Sequence, residues 1–184
     1  MMKLIFIRHG ETDLNKELRL QGQRDPDLEL NETGKGEIAR TREALIDVPS
    51  KIYASPLTRT RETARIVMER FPTVPLIFSD DLKERDFGSL SGKLRSEVAQ
   101  EILENDLEGR YDYRPFGGES IDEVILRIKH FLNELPLETD EIVFVVTHRG
   151  IIRILYDLFP NEMTGGPVLP GSVHILELNK KLAT

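Results

Sequence analysis

Two histidines stand directly after apolar runs near opposite ends of the chain. Lys3-Leu4-Ile5-Phe6-Ile7 leads into Arg8-His9-Gly10-Glu11-Thr12, and Ile142-Val143-Phe144-Val145-Val146-Thr147 leads into His148. An imidazole can serve as nucleophile or proton carrier, and an adjacent guanidinium offers a planar fork that matches phosphate or carboxylate oxygens. Gly10 lets backbone approach a ligand closely. In a parallel sheet, ligands bind beyond the carboxyl ends of the strands, so both histidines are aimed at one cleft. Gly150 and a very apolar helix (Ile151, Ile152, Ile154, Leu155) follow His148, which places backbone amides at a helix start, a natural anion site.

Two further segments supply charge. In Ser55-Pro56-Leu57-Thr58-Arg59-Thr60-Arg61, a helical projection puts Thr60, Ala64, Val67 and Phe71 on the apolar stripe. Arg59 and Arg61 lie on its opposite borders, and periodicity alone does not choose between them. Leu82-Lys83-Glu84-Arg85-Asp86-Phe87-Gly88 supplies acids but reads by itself as a charged loop. His130 and His174 have no partner motif and read as structural. There is no Gly-rich phosphate loop ending in Gly-Lys-Ser/Thr and no His-Glu-x-x-His zinc helix.

The elements that must position these groups alternate between strand and helix. Strands are expected at 2–8, 51–54, 74–78, 142–147 and near 172–178. Helices are expected at 32–46 behind Asn31, from about Leu57 to Arg70 with Ser55 as cap and Pro56 in the first turn, at 94–104, from Ser120 to about Leu135, and at 151–158. The runs at 4–7 and 142–146 are apolar at every position, as strands covered on both faces are. The pattern implies an α/β fold, a three-layer α/β/α sandwich with a mostly parallel central sheet.

Bulk properties bound the reading. The 184 residues suit one domain, 1–184. A net charge of −7 argues against broad nucleic-acid binding, yet arginines in a cleft can still create a local positive potential. No apolar stretch approaches 18 residues, so no membrane partner is expected. The absence of cysteine excludes disulfides and thiolate metal sites and suits a reducing, cytoplasmic setting.

Taken in order, these motifs resemble the histidine phosphatase superfamily, the phosphoglycerate mutase-like family. Arg8-His9-Gly10-Glu11-Thr12 with Asn15 resembles its nucleophile motif, and Leu20-Gln21-Gly22 with Asp25 its phosphate-site loop. Ser55-Pro56-Leu57 with Arg59, Thr60, Thr63 and Ala64 resembles its second arginine motif, which favours Arg59 over Arg61. Leu82-Lys83-Glu84 with Phe87-Gly88 resembles the proton-donor segment. Gly118-Glu119-Ser120 with Arg127, and Thr147-His148 with Gly150 and Arg153, complete the set. The resemblance implies that His9 becomes phosphohistidine and that Glu84 protonates the leaving group. It also implies that Arg8, Arg59 and His148 surround the phosphoryl oxygens, with Asn15, Gln21 and Gly22 assisting. No metal and no cofactor is implied.

The chain departs from that pattern twice. Arg149 stands where the family usually has Gly, so it either carries backbone strain or adds a charge over the cleft, as a further substrate-binding group. Pro26 comes one place early beside Asp25, which bears on Gln21 and Gly22. The short length and Glu11-Thr12 resemble small phosphatases, such as the α-ribazole and broad-specificity groups, more than mutases. The expected function is hydrolysis of a small phosphorylated substrate. The alternatives are mutase-type phosphoryl transfer and a non-catalytic phosphoester-binding regulatory module, with a metal site of His9, His148 and Glu84 as a weaker rival. Residues 94–116, with Arg95, Arg110, Tyr111, Tyr113, Arg114 and Phe116, read either as a lid or as a surface helical insertion. Monomer and homodimer both remain open.

Overall fold

In a computed structural model that describes residues 2–25, 27–136 and 141–178, six strands form one mixed sheet. The strands are β1 (Met2–Arg8), β2 (Lys51–Ala54), β3 (Leu76–Phe78), β4 (Ile142–Thr147), β5 (Met163–Gly165) and β6 (Val173–Leu178). The order is β3-β2-β4-β1-β6-β5, parallel from β3 to β1 and antiparallel beyond it. Helices α1 (Asp13–Lys16), α2 (Glu32–Ala44), α3 (Thr58–Met68), α4 (Gln100–Leu107), α5 (Ile121–Glu134) and α6 (Arg149–Leu158) complete the fold.

Alternate side chains of β1 and β4 enter different cores, as the period of two requires. Leu4, Phe6, Val143 and Val145 pack with Val124, Ile128 and Phe131 of α5 and Ile151, Ile152 and Leu155 of α6. Ile5, Ile7, Phe144 and Val146 pack with Ile38 of α2 and Ala64 and Val67 of α3. Two-sided burial explains the uninterrupted apolar runs, and the expected three-layer α/β arrangement is the one found. Register then aligns the strand ends. Arg8 sits beside Thr147, and Val146 beside Ala54, so the next residues, His9, His148 and Ser55, emerge together at one edge.

Local chemistry accounts for most boundaries. Asn31 caps α2 by accepting from the Gly34 amide at 2.9 Å, and Ser120 caps α5 in a reciprocal box with Glu123. Other boundaries differ from expectation. α3 begins at Thr58 with Leu57 in the cap position, and the Ser55 hydroxyl lies 2.8 Å from His148 Nε2 while accepting from the Leu57 amide at 3.4 Å. The helix expected at 94–104 is a 3-10 turn, Arg95–Glu97, followed by α4. The interruption arises because Leu94 bridges to Arg19 and Val98 turns extended to enter a third apolar cluster with Leu20, Phe87, Leu90, Tyr111 and Tyr113. The strand at 74–78 is confined to β3, and α6 starts two residues earlier than expected. The short α1 and β5 were not anticipated; three or four residues carry too little periodicity to be read. Among the described residues no helix is long and apolar enough to cross a membrane.

Gly10 and Gly34 bring the loop after β1 against the start of α2. A Cβ on Gly10 would lie 2.5 Å from the Gly34 carbonyl oxygen, and one on Gly34 would overlap Glu11 backbone. Gly34→Ala is therefore expected to cost about 1–3 kcal/mol, read as a lower urea midpoint with unchanged slope.

Candidate active site

His9, 3% exposed, lies in the cleft at this edge. Its Nδ1 is 2.8 Å from the Gly10 carbonyl oxygen. A carbonyl only accepts, so this contact assigns the proton to Nδ1 and leaves the Nε2 lone pair free. His148 is wholly buried behind it, with ring centroids 5.1 Å apart and planes at 62°. Its Nε2 is 2.8 Å from the Ser55 hydroxyl, and its Nδ1 has no partner. Burial, followed by the charge of Arg59, lowers both imidazoles well below the ordinary histidine range, so both are neutral near pH 7.

Two buried guanidinium groups flank the pair. Arg8 donates through Nη1 to the Val168 carbonyl at 2.8 Å, and Arg59, fully buried, donates through Nη2 to the Gly22 carbonyl at 2.9 Å. Arg8 Nε and Arg59 Nε and Nη1 are buried without a partner among the described residues. Burial lowers each to about 10, with Arg149 adding to the effect on Arg8; both still carry charge at neutral pH. Unanswered buried donors cost on the order of 1–3 kcal/mol each. Several of them around one imidazole make a receptor for an anion.

Glu84, 6% exposed, forms the other wall. Its Oε1 accepts from the Arg85 amide at 3.0 Å and its Oε2 from the Gly150 amide at 3.1 Å. A Cβ on Gly150 would overlap Glu84 Oε1, so glycine there keeps room for the carboxyl. Asn15, Gln21 and Arg149 line the same cleft. Gln21 donates to the Thr12 hydroxyl at 2.8 Å. Gly22 acts differently, holding Arg59 through its carbonyl. Arg149 opens α6 as an exposed residue in ordinary helical backbone. Among the described residues Leu18 is the sole non-glycine with positive φ, so position 149 carries charge over the cleft without strain. Pro26 lies outside the described residues. Arg61 is exposed over the Phe78 ring, which resolves the choice periodicity left open. Among the described residues, no group of three or more His, Asp or Glu side chains could hold a metal ion, so the rival site of His9, His148 and Glu84 is not formed.

A model of the histidine phosphatase superfamily (branch 1) matches residues 4–182. The chain belongs to this superfamily. It is 34% identical over 188 residues to a metal-independent phosphoserine phosphatase of Arabidopsis thaliana, covering 96% of this chain and 76% of that one. It is 36% identical over 164 residues to phosphoserine phosphatase 1 of Hydrogenobacter thermophilus, covering 85% and 75%. The solved phosphoglycerate mutase of Thermus thermophilus superposes with a TM-score of 0.80 at 29% identity, covering 100% of this chain and 97% of that one. This histidine phosphatase is accordingly a phosphatase-type enzyme.

Other residues of the motifs hold the site from behind. Glu119 accepts from both Arg127 Nε (3.0 Å) and Nη2 (3.1 Å), and from the Asp86 amide at 2.8 Å. Arg127 Nη1 donates to the Asp81 and Lys83 carbonyls, while the Thr147 hydroxyl donates to the Leu82 carbonyl. The loop that carries Glu84 is thus braced to α5 and β4. Arg153 instead reaches the Leu107 carbonyl. His130 pairs with Asp81 at the surface, and buried His174 is held by Tyr156 and Ser172. Sequence reasoning gave no role to Ser55 against His148, Thr63 against the Gly10 amide, or Arg85. The partners of these three are distant in the chain, and no periodicity announces them.

The lowered imidazoles make stability depend on pH. As pH falls through about 6.5, the unfolded chain takes up protons that folded His9 and His148 refuse, so stability falls with pH. Each contributes a slope of up to about 1.4 kcal/mol per pH unit. In urea unfolding between about pH 5 and 6, His9→Gln is expected to flatten the slope by close to that amount.

Proposed function

We propose that this phosphatase hydrolyses small phosphomonoesters through a phosphohistidine on His9, with Glu84 as the proton donor. The observation that carries the reading is the ring of buried polar atoms without a partner, guanidinium donors on Arg8 and Arg59 and the Nδ1 of His148, around a neutral imidazole with a free Nε2. Phosphoryl transfer needs mainly in-line positioning and stabilisation of charge on the equatorial oxygens. His9 Nε2 forms a bond to phosphorus as the ester P–O bond breaks. Glu84 gives its proton to the departing oxygen. Water then attacks phosphorus, Glu84 takes a proton from it, and Nε2 leaves. The Gly10 carbonyl fixes the tautomer throughout. Asn15 and Gln21 line the phosphate side, and Gly22 serves by holding Arg59.

Arg149 and Arg95, exposed or half-buried at the cleft mouth, favour a leaving group that is itself anionic. Arg95 belongs to the 94–116 segment, whose Val98, Tyr111 and Tyr113 pack on Phe87 beside the cleft; we read that segment as the wall that selects the leaving group. Phosphoserine, the substrate in the names of two relatives, is the first ester to try.

His9→Ala is expected to abolish turnover and the acid-labile phosphoenzyme seen on rapid quenching. Arg59→Ala should lower kcat by on the order of 10²–10³. Glu84→Gln should cost alkyl phosphates on the order of 10²–10⁴ and p-nitrophenyl phosphate much less. A panel with phosphoserine and 3-phosphoglycerate, scored for phosphate release against isomerisation, checks hydrolysis; net isomerisation would make the enzyme a mutase.

A further inference from the structure

Under the Glu84 wall lies a buried ion pair that the proposed chemistry leaves unused. Arg85 and Asp106 are 5% and 3% exposed. The two terminal nitrogens of Arg85 meet the two Asp106 oxygens, with Nη2 donating to Oδ2 at 3.1 Å. The Tyr113 hydroxyl donates to Asp106 Oδ1 at 3.1 Å, and the guanidinium lies over the rings of Phe87 and Tyr111, 5.0 and 4.9 Å from their centroids. A buried pair gains little stability over apolar residues of the same shape, so its presence calls for another reason. Its place supplies one. The Arg85 amide donates to Glu84 Oε1, and Arg85 Nε, without a partner of its own, is 4.0 Å from that same oxygen.

We propose that Asp106 is a positioning residue for Glu84: by taking both terminal nitrogens of Arg85 it turns that guanidinium away and balances its charge, so that Glu84 can hold the proton the leaving group needs. This rests on the reading of Glu84 as proton donor. The groups facing Glu84 are Arg8 from β1, Arg59 from α3, Arg85 from its own loop, Tyr111 from the segment before α5, and the Gly150 amide of α6. Arg85 is faced in turn by Asp106, Tyr111, Tyr113 and Arg149. Burial pushes both tyrosines up, so they stay neutral. Asp106 is thus the fixed anion in contact with Arg85 besides Glu84 itself. Without it, the Arg85 guanidinium, 4.0 Å from Glu84 Oε1, loses its other carboxylate partner and pairs with Glu84 instead, and the acid is lost.

The test compares Asp106→Asn, Arg85→Met with Asp106→Asn, and Glu84→Gln on an alkyl phosphate the wild type hydrolyses and on p-nitrophenyl phosphate. Asp106→Asn should lower kcat for the alkyl ester about tenfold at pH 7 and move its alkaline limb down by about one pH unit. The nitrophenyl ester should change by less than about twofold, because its leaving group needs no proton. The double variant, which also removes the unbalanced cation, should return both readouts towards wild type. Wild-type behaviour in Asp106→Asn, or equal losses on both esters with an unmoved limb, overturns the proposal. If Asp106→Asn does not fold, the double variant decides: a wild-type alkyl-to-aryl ratio supports the proposal and a depressed ratio overturns it. Glu84→Gln separates the two levels. Equal loss on both esters there removes the proton-donor reading itself. Discrimination by Glu84→Gln but not by Asp106→Asn removes only the role of Asp106.

Discussion

Positive charge held out of water without a fixed counter-ion is the constraint around which this molecule is arranged. Arg59 is fully buried and Arg8 nearly so, and each keeps part of its donor set unanswered by the protein. Desolvating a guanidinium is costly unless it is paired and hydrogen-bonded. The structure meets that cost in part with single carbonyls, Val168 for Arg8 and Gly22 for Arg59. In the reaction proposed above, the phosphoryl group of the substrate offsets the remainder. The same burial and charge keep the His9 and His148 imidazoles neutral, so the groups proposed to hold the anion also leave the proposed nucleophile uncharged.

Such an arrangement works only if its members cannot drift. The register of β1, β4 and β2 delivers His9, His148 and Ser55 to one edge from three parts of the chain. Two-sided burial fixes that register, because a slip by one residue exchanges the faces of every side chain. Contact between Gly10 and Gly34 then seats the loop after β1 against α2, and the Thr63 hydroxyl accepts from the Gly10 amide at 3.3 Å.

The opposite wall is built by other means. Glu84 is carried on a loop, and its position comes from Arg127, Glu119 and Thr147 gripping the backbone on both sides of it. The 94–116 segment closes this wall through the cluster of Leu20, Phe87, Val98, Tyr111 and Tyr113, with Asp106 buried beneath. Its Arg95 reaches the cleft because Val98 is drawn inward, which breaks the helix that the sequence pattern suggested there.

What the sequence alone determined was whatever is encoded locally. Continuous apolar runs specify doubly covered strands, Asn31 and Ser120 specify helix starts, and Arg-His-Gly after a strand specifies a ligand edge; each is a statement about neighbours in the chain. The ordered motifs added Arg59 and Glu84, which periodicity had left among surface charges. Only the tertiary structure decided that Ser55 faces His148, that Gly22 holds Arg59, and that Arg149 is unstrained. It alone joined Arg85 to Asp106 across 21 positions. These outcomes depend on register and on which buried donor finds which acceptor across the fold, and hydrogen bonding between distant segments leaves no period in the chain to read.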